Sequence, residues 1–321
     1  MQIFSPLVAF AGLAAGALAD GACSGPNART DPPAGAIVVD ATGAYKNTRL
    51  DPNTTSEQTV FVRPGVYNEQ VLISPLSGPL VLQGFTCDAM SYASNEVTIT
   101  QAKAQKDIPA EVTGEARNDM TSTVRFKSDN VKVYNLNIAN TAGNVGQALA
   151  VNVNATDYGF YACNLTGYQD TVLADKGREL YARTYINGAT DFIFGRYAQA
   201  WFESCDIETI GTGFITASGR ESESSSATGV NSTSLGRPWR PYAKVIWQNS
   251  ELGDVSSRRA GRLGTPPPAR IRLSSRSSTT LARRQHCQPC ALQRTADAPV
   301  AITEVFGEGY ETEWWVDSAY L

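Results

Sequence analysis

Five short segments of this chain end on an apolar residue at nearly regular spacing. A chain that repeats itself about every 21 residues has few folds open to it. The segments are V-Y-N-L-N-I (133–138), F-Y-A-C-N-L (160–165), Y-A-R-T-Y-I (181–186), F-E-S-C-D-I (202–207) and W-Q-N-S-E-L (247–252). Their last apolar members, Ile138, Leu165, Ile186, Ile207 and Leu252, are separated by 27, 21, 21 and 45 residues. The final gap is about two periods, with room for an inserted loop. Leu136, Cys163, Thr184 and Cys205 precede four of them by two, so apolar or small residues alternate on one face. Period-2 alternation marks strands, and stacked repeats of this length mark a solenoid. Helical repeats need apolar spacings of three and four, and no sustained run of that kind occurs.

The expected fold is therefore all-β: a single-stranded, right-handed parallel β-helix. Equivalent side chains on adjacent coils stack in ladders, and Cys163, Thr184 and Cys205 form one interior ladder. Cys163 and Cys205 lie two coils apart, too far for a disulfide, and are expected as buried free thiols. Gly143, Gly167, Gly188 and Gly211 punctuate the segment ends, where tight corners are expected.

The same period carries chemistry. Aligning G-F-Y-A-C-N-L-T-G-Y-Q-D-T (159–171) with L-Y-A-R-T-Y-I-N-G-A-T-D-F (180–192) puts Asp170 over Asp191. Stacked repeats bring the two backbones within roughly 5 Å. Like charges that close cannot both ionise easily, so one carboxyl is pushed toward its protonated form. A proton donor beside an ionised nucleophile is a catalytic arrangement.

Composition narrows the setting. Leu7 to Leu18 form an apolar run too short to span a bilayer, and Ala17-Leu18-Ala19 has the small-x-small pattern of a signal-peptidase site. Residues 1–19 are expected as a signal peptide and 20–321 as one secreted domain, with no membrane span. Sequons begin at Asn53, Asn154, Asn164 and Asn231. Six cysteines are too few for a disulfide scaffold in a domain this large. Cys287-Gln-Pro-Cys290 and the single histidine, His286, lack the second ligand pair that a zinc site needs. The net charge of −4 hides an asymmetry: residues 255–296 hold nine arginines and no acid, so the remainder carries 18 basic against 31 acidic residues, or −13. An acidic body is a poor nucleic-acid ligand. No G-x-S-x-G elbow accompanies His286, which removes a Ser-His-Asp triad.

The remaining polar motifs run in order: P-G-V-Y-N-E (64–69), G-Q-A-L-A-V (146–151), G-Y-Q-D-T-V (167–172), D-F-I-F-G (191–195) and L-G-R-P-W-R-P-Y (235–242). Together they resemble the pectin methylesterases, or pectinesterases, most closely the secreted fungal type. The resemblance spans about Ala36 to Val255 and resumes over W-W-V-D-S-A-Y-L (314–321). It implies a right-handed parallel β-helix acting on methyl-esterified pectin as a monomer, with no metal or organic cofactor. It also implies roles at matching positions. Asp191 is the nucleophile at the C6 ester carbonyl, and Arg237 holds it ionised and oriented. Gln147 and Gln169 donate to the oxyanion, and Asp170 is the general acid and then base. Trp239 and Tyr168 line the sugar groove. Three rivals stay open at this point: a glycoside hydrolase or a calcium-dependent lyase on the same scaffold, and a non-catalytic pectin binder.

One stretch departs from the pattern. Residues 256–296 have no aromatics, little alternation and a bias toward Arg, Ser and Pro that cannot build a core. Such a segment reads either as a cationic insert that grips an anionic product or as sequence foreign to the fold. Strand patterning is expected to return at Pro299-Val-Ala-Ile-Thr-Glu-Val.

Overall fold

The structure, a computed structural model, describes residues 23, 25–42, 49–220, 237–240, 244–247, 250–252, 269–273, 281–284, 293–295 and 299–321. The 1–19 segment, His286, Cys287, Cys290 and Asn231 lie outside the described residues. Among the described residues no helix is long and apolar enough to cross a membrane.

The chain coils into a parallel β-solenoid with three faces. The first face runs Val71–Ile73, Val124–Phe126, Val151–Asn154, the start of Val172–Ala182, Ile193–Gly195, Thr216–Ser218 and Arg237–Pro238, each strand parallel to the next. The second runs from Ile37–Val39 through Gln58–Val62, Leu80–Gly84, Val131–Tyr134, Tyr158–Tyr161 and the end of Val172–Ala182 to Tyr197–Glu203. The third runs Gly65–Asn68, Val97–Gln101, Asn137–Asn140, Asn164–Thr166, Tyr185–Gly188 and Asp206–Thr209.

The spacing read from the sequence is the register of the third face. Ile138 pairs with Leu165, Leu165 with Ile186, and Ile186 with Ile207. All four are fully buried, as are Leu136, Cys163, Thr184 and Cys205 behind them. Cys163 and Cys205 are free thiols. Inside the coils, Phe160, Tyr181 and Phe202 stack with centroids 4.8 and 4.6 Å apart and planes within 8°. Identical register makes identical neighbours, so aromatic area is buried ring on ring.

The named glycines stand at the ends of third-face strands, where the chain turns toward the first face: Gly143 after Asn137–Asn140, Gly167 after Asn164–Thr166, Gly188 at the end of Tyr185–Gly188 and Gly211 after Asp206–Thr209. The bends between the second and third faces fall on Asn135, Ala162, Arg183 and Ser204, all at φ between 48° and 51°. Left-handed backbone costs roughly 1–2 kcal/mol for a residue with a Cβ, but each corner inherits the ladder bonds of the coil beneath it. Of the glycines named for this role, only Gly143 has positive φ among the four. Gly188 is required for space instead, because a Cβ there would lie 2.2 Å from Cβ of Phe192.

The solenoid's late coils also depart from expectation. Leu252 does not follow Ile207 directly. The strand Ala269–Leu273, from within the atypical segment, lies between them and runs antiparallel to both, so the column reads Ile207, Ile271, Leu252. Lys244–Trp247, Leu281–Arg284 and Gln293–Thr295 form a separate antiparallel sheet. Strand patterning does not return at Pro299: Ile302–Phe306 is a short helix. Its apolar residues, with Tyr310, Trp315, Val316 and Tyr320, cover Tyr134, Tyr161, Leu180 and Ala182 on the outside of the second face. The Tyr161 hydroxyl donates to the Trp315 carbonyl and accepts from the Asp317 N–H, both at 2.7 Å, which fastens the tail. At the other end Cys23 and Cys87 form a disulfide that sequence reading did not pair.

Two predictions arise from the fold. Glu179 points into the core between Tyr158 and Ala200 in register and is fully buried. The Tyr181 hydroxyl donates to one of its oxygens at 2.7 Å, and the other oxygen has no partner. Burial pushes this carboxyl well above its usual range, against the Tyr181 hydrogen bond. The native state thus holds a proton that the unfolded chain releases above about pH 4.3. Its stability contribution is complete below that pH and is lost as pH rises toward the folded value. Glu179→Gln keeps the shape without the charge, so it should raise Tm at neutral pH and leave it nearly unchanged near pH 4. A Tm difference independent of pH would refute the assignment. Separately, only Asn53 among the described sequons is exposed in a turn. Asn154 Nδ2 donates to Asp175 in a strand, and Asn164 sits in the middle of the third face. In a eukaryotic secretory host Asn53→Gln should remove a glycan-sized mass, whereas Asn154→Gln and Asn164→Gln should not.

Candidate active site

The two aspartates sit at equivalent corners, each two residues before a first-face strand. Val172 pairs with Ile193, which places Asp170 and Asp191 one rung apart, and the Asp170 N–H donates to the Thr190 carbonyl at 3.1 Å. Both adopt left-handed backbone, φ 64° and 51°. Asp tolerates this region better than branched residues, and the sharp corner turns both carboxyls away from the apolar interior. Each residue is only 6% exposed.

Arg237 reaches them through the sheet. Its strand pairs with Thr216–Ser218, which pairs with Ile193–Gly195, so Phe194, Ala217 and Arg237 are successive rungs. Its Nε donates to Asp191 Oδ1 and Oδ2 at 2.8 and 3.0 Å, and its terminal nitrogen donates to Oδ2 at 2.6 Å. This two-pronged geometry fixes the plane of the carboxylate as well as its position. The hydrogen bond to Asp191 also raises the guanidinium above its ordinary value.

Asp170 has no such partner. Burial pushes its carboxyl well above the usual range, Asp191 pushes it further, and Arg237 and a hydrogen bond from Gln169 only partly oppose this. Two carboxyls of the same kind are thus divided by environment: one clamped by a guanidinium, the other pushed toward its protonated form.

The remaining expected residues cluster here to different degrees. Gln169 bridges to Thr190 across the rung, and its carbonyl accepts from the Ala148 N–H at 3.1 Å, which places Gln147 on the adjacent coil. Tyr168 accepts the Ala189 and Thr190 N–H groups through its carbonyl. Trp239 follows Arg237 by two, is 40% exposed, and lies 6.4 Å from Phe194. Gly219 makes room for it: a Cβ there would stand 2.5 Å from the indole.

Sequence reading missed the floor of the site. Leu149, Leu173, Phe194 and Ala217 form a buried apolar cluster separate from the solenoid interior. Runs such as A-L-A-V and D-F-I-F-G break the alternation expected of a strand with one wet face. Continuous apolar text of that kind marks strands covered on both sides, and it was the available signal.

The Pectinesterase family model matches residues 38–233. A pectinesterase of Aspergillus niger is 38% identical, over 91% of this chain and 94% of its own length. A probable pectinesterase A of Aspergillus oryzae is also 38% identical, over 91% of this chain and 92% of its own. The crystal structure of the Aspergillus niger pectin methylesterase in deglycosylated form superimposes with a TM-score of 0.72 at 31% identity, covering 91% of this chain and all of that one. Pectin methylesterase from carrot shares the fold, at a TM-score of 0.57 and 23% identity over 67% of this chain and 72% of its own.

Proposed function

The chain belongs to the pectinesterase family, and from that premise we propose that it hydrolyses C6 methyl esters of galacturonate units in pectin, yielding pectate and methanol. The observation that carries this is Asp191, clamped by Arg237, one rung from Asp170, whose carboxyl burial and Asp191 push well above its usual range.

The Asp191 carboxylate attacks the ester carbonyl carbon and forms a tetrahedral intermediate. The amides of Gln147 and Gln169 donate to its oxyanion. As the intermediate collapses, the carbon–methoxy bond breaks and Asp170 gives its proton to the departing methoxide, releasing methanol. An acyl-enzyme remains, in which Asp191 and the C6 carbonyl form an anhydride. Asp170, now ionised, takes a proton from water while the hydroxide attacks the same carbon. The second collapse frees the sugar acid and restores both aspartates, so protons balance over the cycle. Arg237 stays paired with Asp191 and keeps its attacking oxygen in line. Trp239 and Tyr168 offer ring faces to the sugars. Every group named belongs to one chain, which acts as a monomer, and residues 1–19 direct its secretion.

Purified protein on highly esterified pectin tests the reading. Methanol should rise with time in step with released acid, without new reducing ends and without unsaturated products. Reducing ends would indicate glycosidic hydrolysis, unsaturated products a lyase, and binding alone a non-catalytic relative. The donor role has its own prediction. Gln169→Leu should lower kcat on the order of 10²–10³-fold with little change in KM, since the oxyanion exists only in the transition state. A variant that raised KM alone would move Gln169 from the oxyanion to ground-state binding.

A further inference from the structure

The two oxyanion donors are held by different parts of the chain. Gln169 lies in a ladder: it bridges to Thr190 on one side, and its carbonyl accepts from the Ala148 N–H on the other. Gln147 loses its ladder on the side of the preceding coil. There the Leu149 carbonyl still accepts from the Thr123 N–H, at 3.0 Å. Two residues earlier the pattern stops, because the Thr121 N–H donates to the Asn118 carbonyl at 2.9 Å. The Gln147 carbonyl accepts instead from the Gln105 N–H, at 2.9 Å.

Gln105 belongs to a strap, residues 102–123, that joins the strands Val97–Gln101 and Val124–Phe126. The buried Asn140 amide donates to the carbonyls of Lys103 and Thr121, near the two ends of the strap, and to that of Leu149. Asp119, at the end of the helix Gly114–Asp119, accepts from Arg125, Lys127 and Asn152 and so ties the strap to the first face. Between these anchors Arg117 closes the strap on itself. Its guanidinium donates to the carbonyls of Gln105, Pro109 and Val112 at 2.6, 2.8 and 3.0 Å. Asn118 beside it accepts from the Gln105 side-chain amide. A guanidinium presents its donors in a rigid fork, so three carbonyls on one head fix the strap where Gln105 meets Gln147.

We infer that Arg117 is a positioning residue for ester hydrolysis: through Gln105 it sets where Gln147 stands, and so where one of the two oxyanion donors points. This rests on the esterase reading and on Gln147 as a donor. A donor works only if aimed at the place where charge develops, and a displacement of about 1 Å can cost on the order of 10²-fold.

The test is a double-mutant cycle on the whole chain, read by methanol release from esterified pectin. Arg117→Gln should lower kcat about 10–100-fold with KM within about twofold. Arg117→Lys should fall between, because Lys keeps the charge but cannot span three carbonyls. In a Gln147→Leu background the same Arg117→Gln change should cost less than about twofold more, since no donor remains to be misplaced. An equal loss in both backgrounds would mark general damage and overturn the inference, as would wild-type kcat in Gln147→Leu. Should Arg117→Gln fail to fold, Asn118→Ala loosens Gln105 by its side chain and goes through the same cycle. Hydrogen exchange reads the link without catalysis: the peptide 104–108 should exchange about tenfold faster in Arg117→Gln, and unchanged exchange overturns the inference. A wild type that releases no methanol fails the esterase reading, while exchange still shows whether Arg117 holds Gln105, so the two failures are distinguishable.

Discussion

Asp191→Ala is expected to lower methanol release from esterified pectin by about 10⁴-fold or more, which corresponds to roughly 5.4 kcal/mol of lost transition-state stabilisation. The size follows from position. Asp191 is the one carboxylate at the site whose plane is fixed, by three hydrogen bonds from Arg237, and a nucleophile must present an oxygen in line with the carbonyl carbon. Removing it leaves binding and the oxyanion donors but no atom to form the acyl-enzyme. The alanine also strands the Arg237 guanidinium, so Asp191→Asn is the companion variant: similar in shape, able to accept from Arg237, and a poor nucleophile. Both should be inactive, with the asparagine closer to wild type in Tm. Activity within tenfold of wild type in a folded Asp191→Asn protein would remove Asp191 from the chemistry.

Asp170→Asn should cost about 10²–10⁴-fold, the range of a positioned proton donor, and it should also change the pH profile. The Asp170 carboxyl is held above its usual range, first by burial and then by Asp191. The sign follows directly. A raised value means the group keeps its proton at pH values where an ordinary aspartate has lost it, and donation to methoxide stops as pH climbs through that value. Wild-type kcat should therefore fall on the alkaline side through the loss of this one proton. Asparagine has no such proton to lose, so the alkaline limb should vanish from the residual activity of the variant. An unchanged limb in Asp170→Asn would assign that titration to another group.

Much of this site was readable from spacing. Asp170 and Asp191 share a position in two 21-residue repeats, and a parallel solenoid turns equal sequence position into adjacency one rung apart. The Ile138, Leu165, Ile186 and Ile207 column was legible for the same reason. Arg237 was not readable in this way. It arrives 46 residues after Asp191 on a two-residue strand, and no periodicity leads to it. Its place beside Asp191 is implied in sequence only by a resemblance of motifs, and the bidentate pair exists only in the folded chain. The apolar floor at Leu149, Leu173 and Phe194 lies in continuous apolar text, where period-2 alternation gives no sign of a second buried face.

Glycine marks only one set of corners. Gly167, Gly188 and Gly211 stand where third-face strands end, but the turn from the second face to the third falls on Ala162, Arg183 and Ser204 at positive φ, residues with no intrinsic taste for that conformation. Neighbouring coils impose it, since each corner is hydrogen-bonded to the one below: the Ala162 N–H donates to the Ala182 carbonyl and the Arg183 N–H to the Glu203 carbonyl. Tertiary context overrides local propensity wherever the ladder repays the strain.

The late segments show the limit from the other side. Ala269–Leu273 has no aromatic residue and sits in a segment of little overall patterning, yet its own A-R-I-R-L alternates and it takes the third-face column between Ile207 and Leu252, running antiparallel. An open sheet edge accepts any extended backbone, because ladder bonds belong to the main chain and not to the side chains. Pro299-Val-Ala-Ile-Thr-Glu-Val reads as strand by composition, but Ile302–Phe306 folds as a helix in the cluster with Tyr134 and Tyr161, where an apolar outer face needed covering.

The linear text thus settled what depends on period: strand type, coil length, the interior ladders and the pairing of Asp170 with Asp191. Those are local patterns repeated, and repetition survives in one dimension. Which carboxyl is clamped, which is pushed above its usual range, and what joins the last coil were decided only in three dimensions. Burial, opposing charge and open edges are properties of neighbours in space, and a sequence names its neighbours only where it repeats.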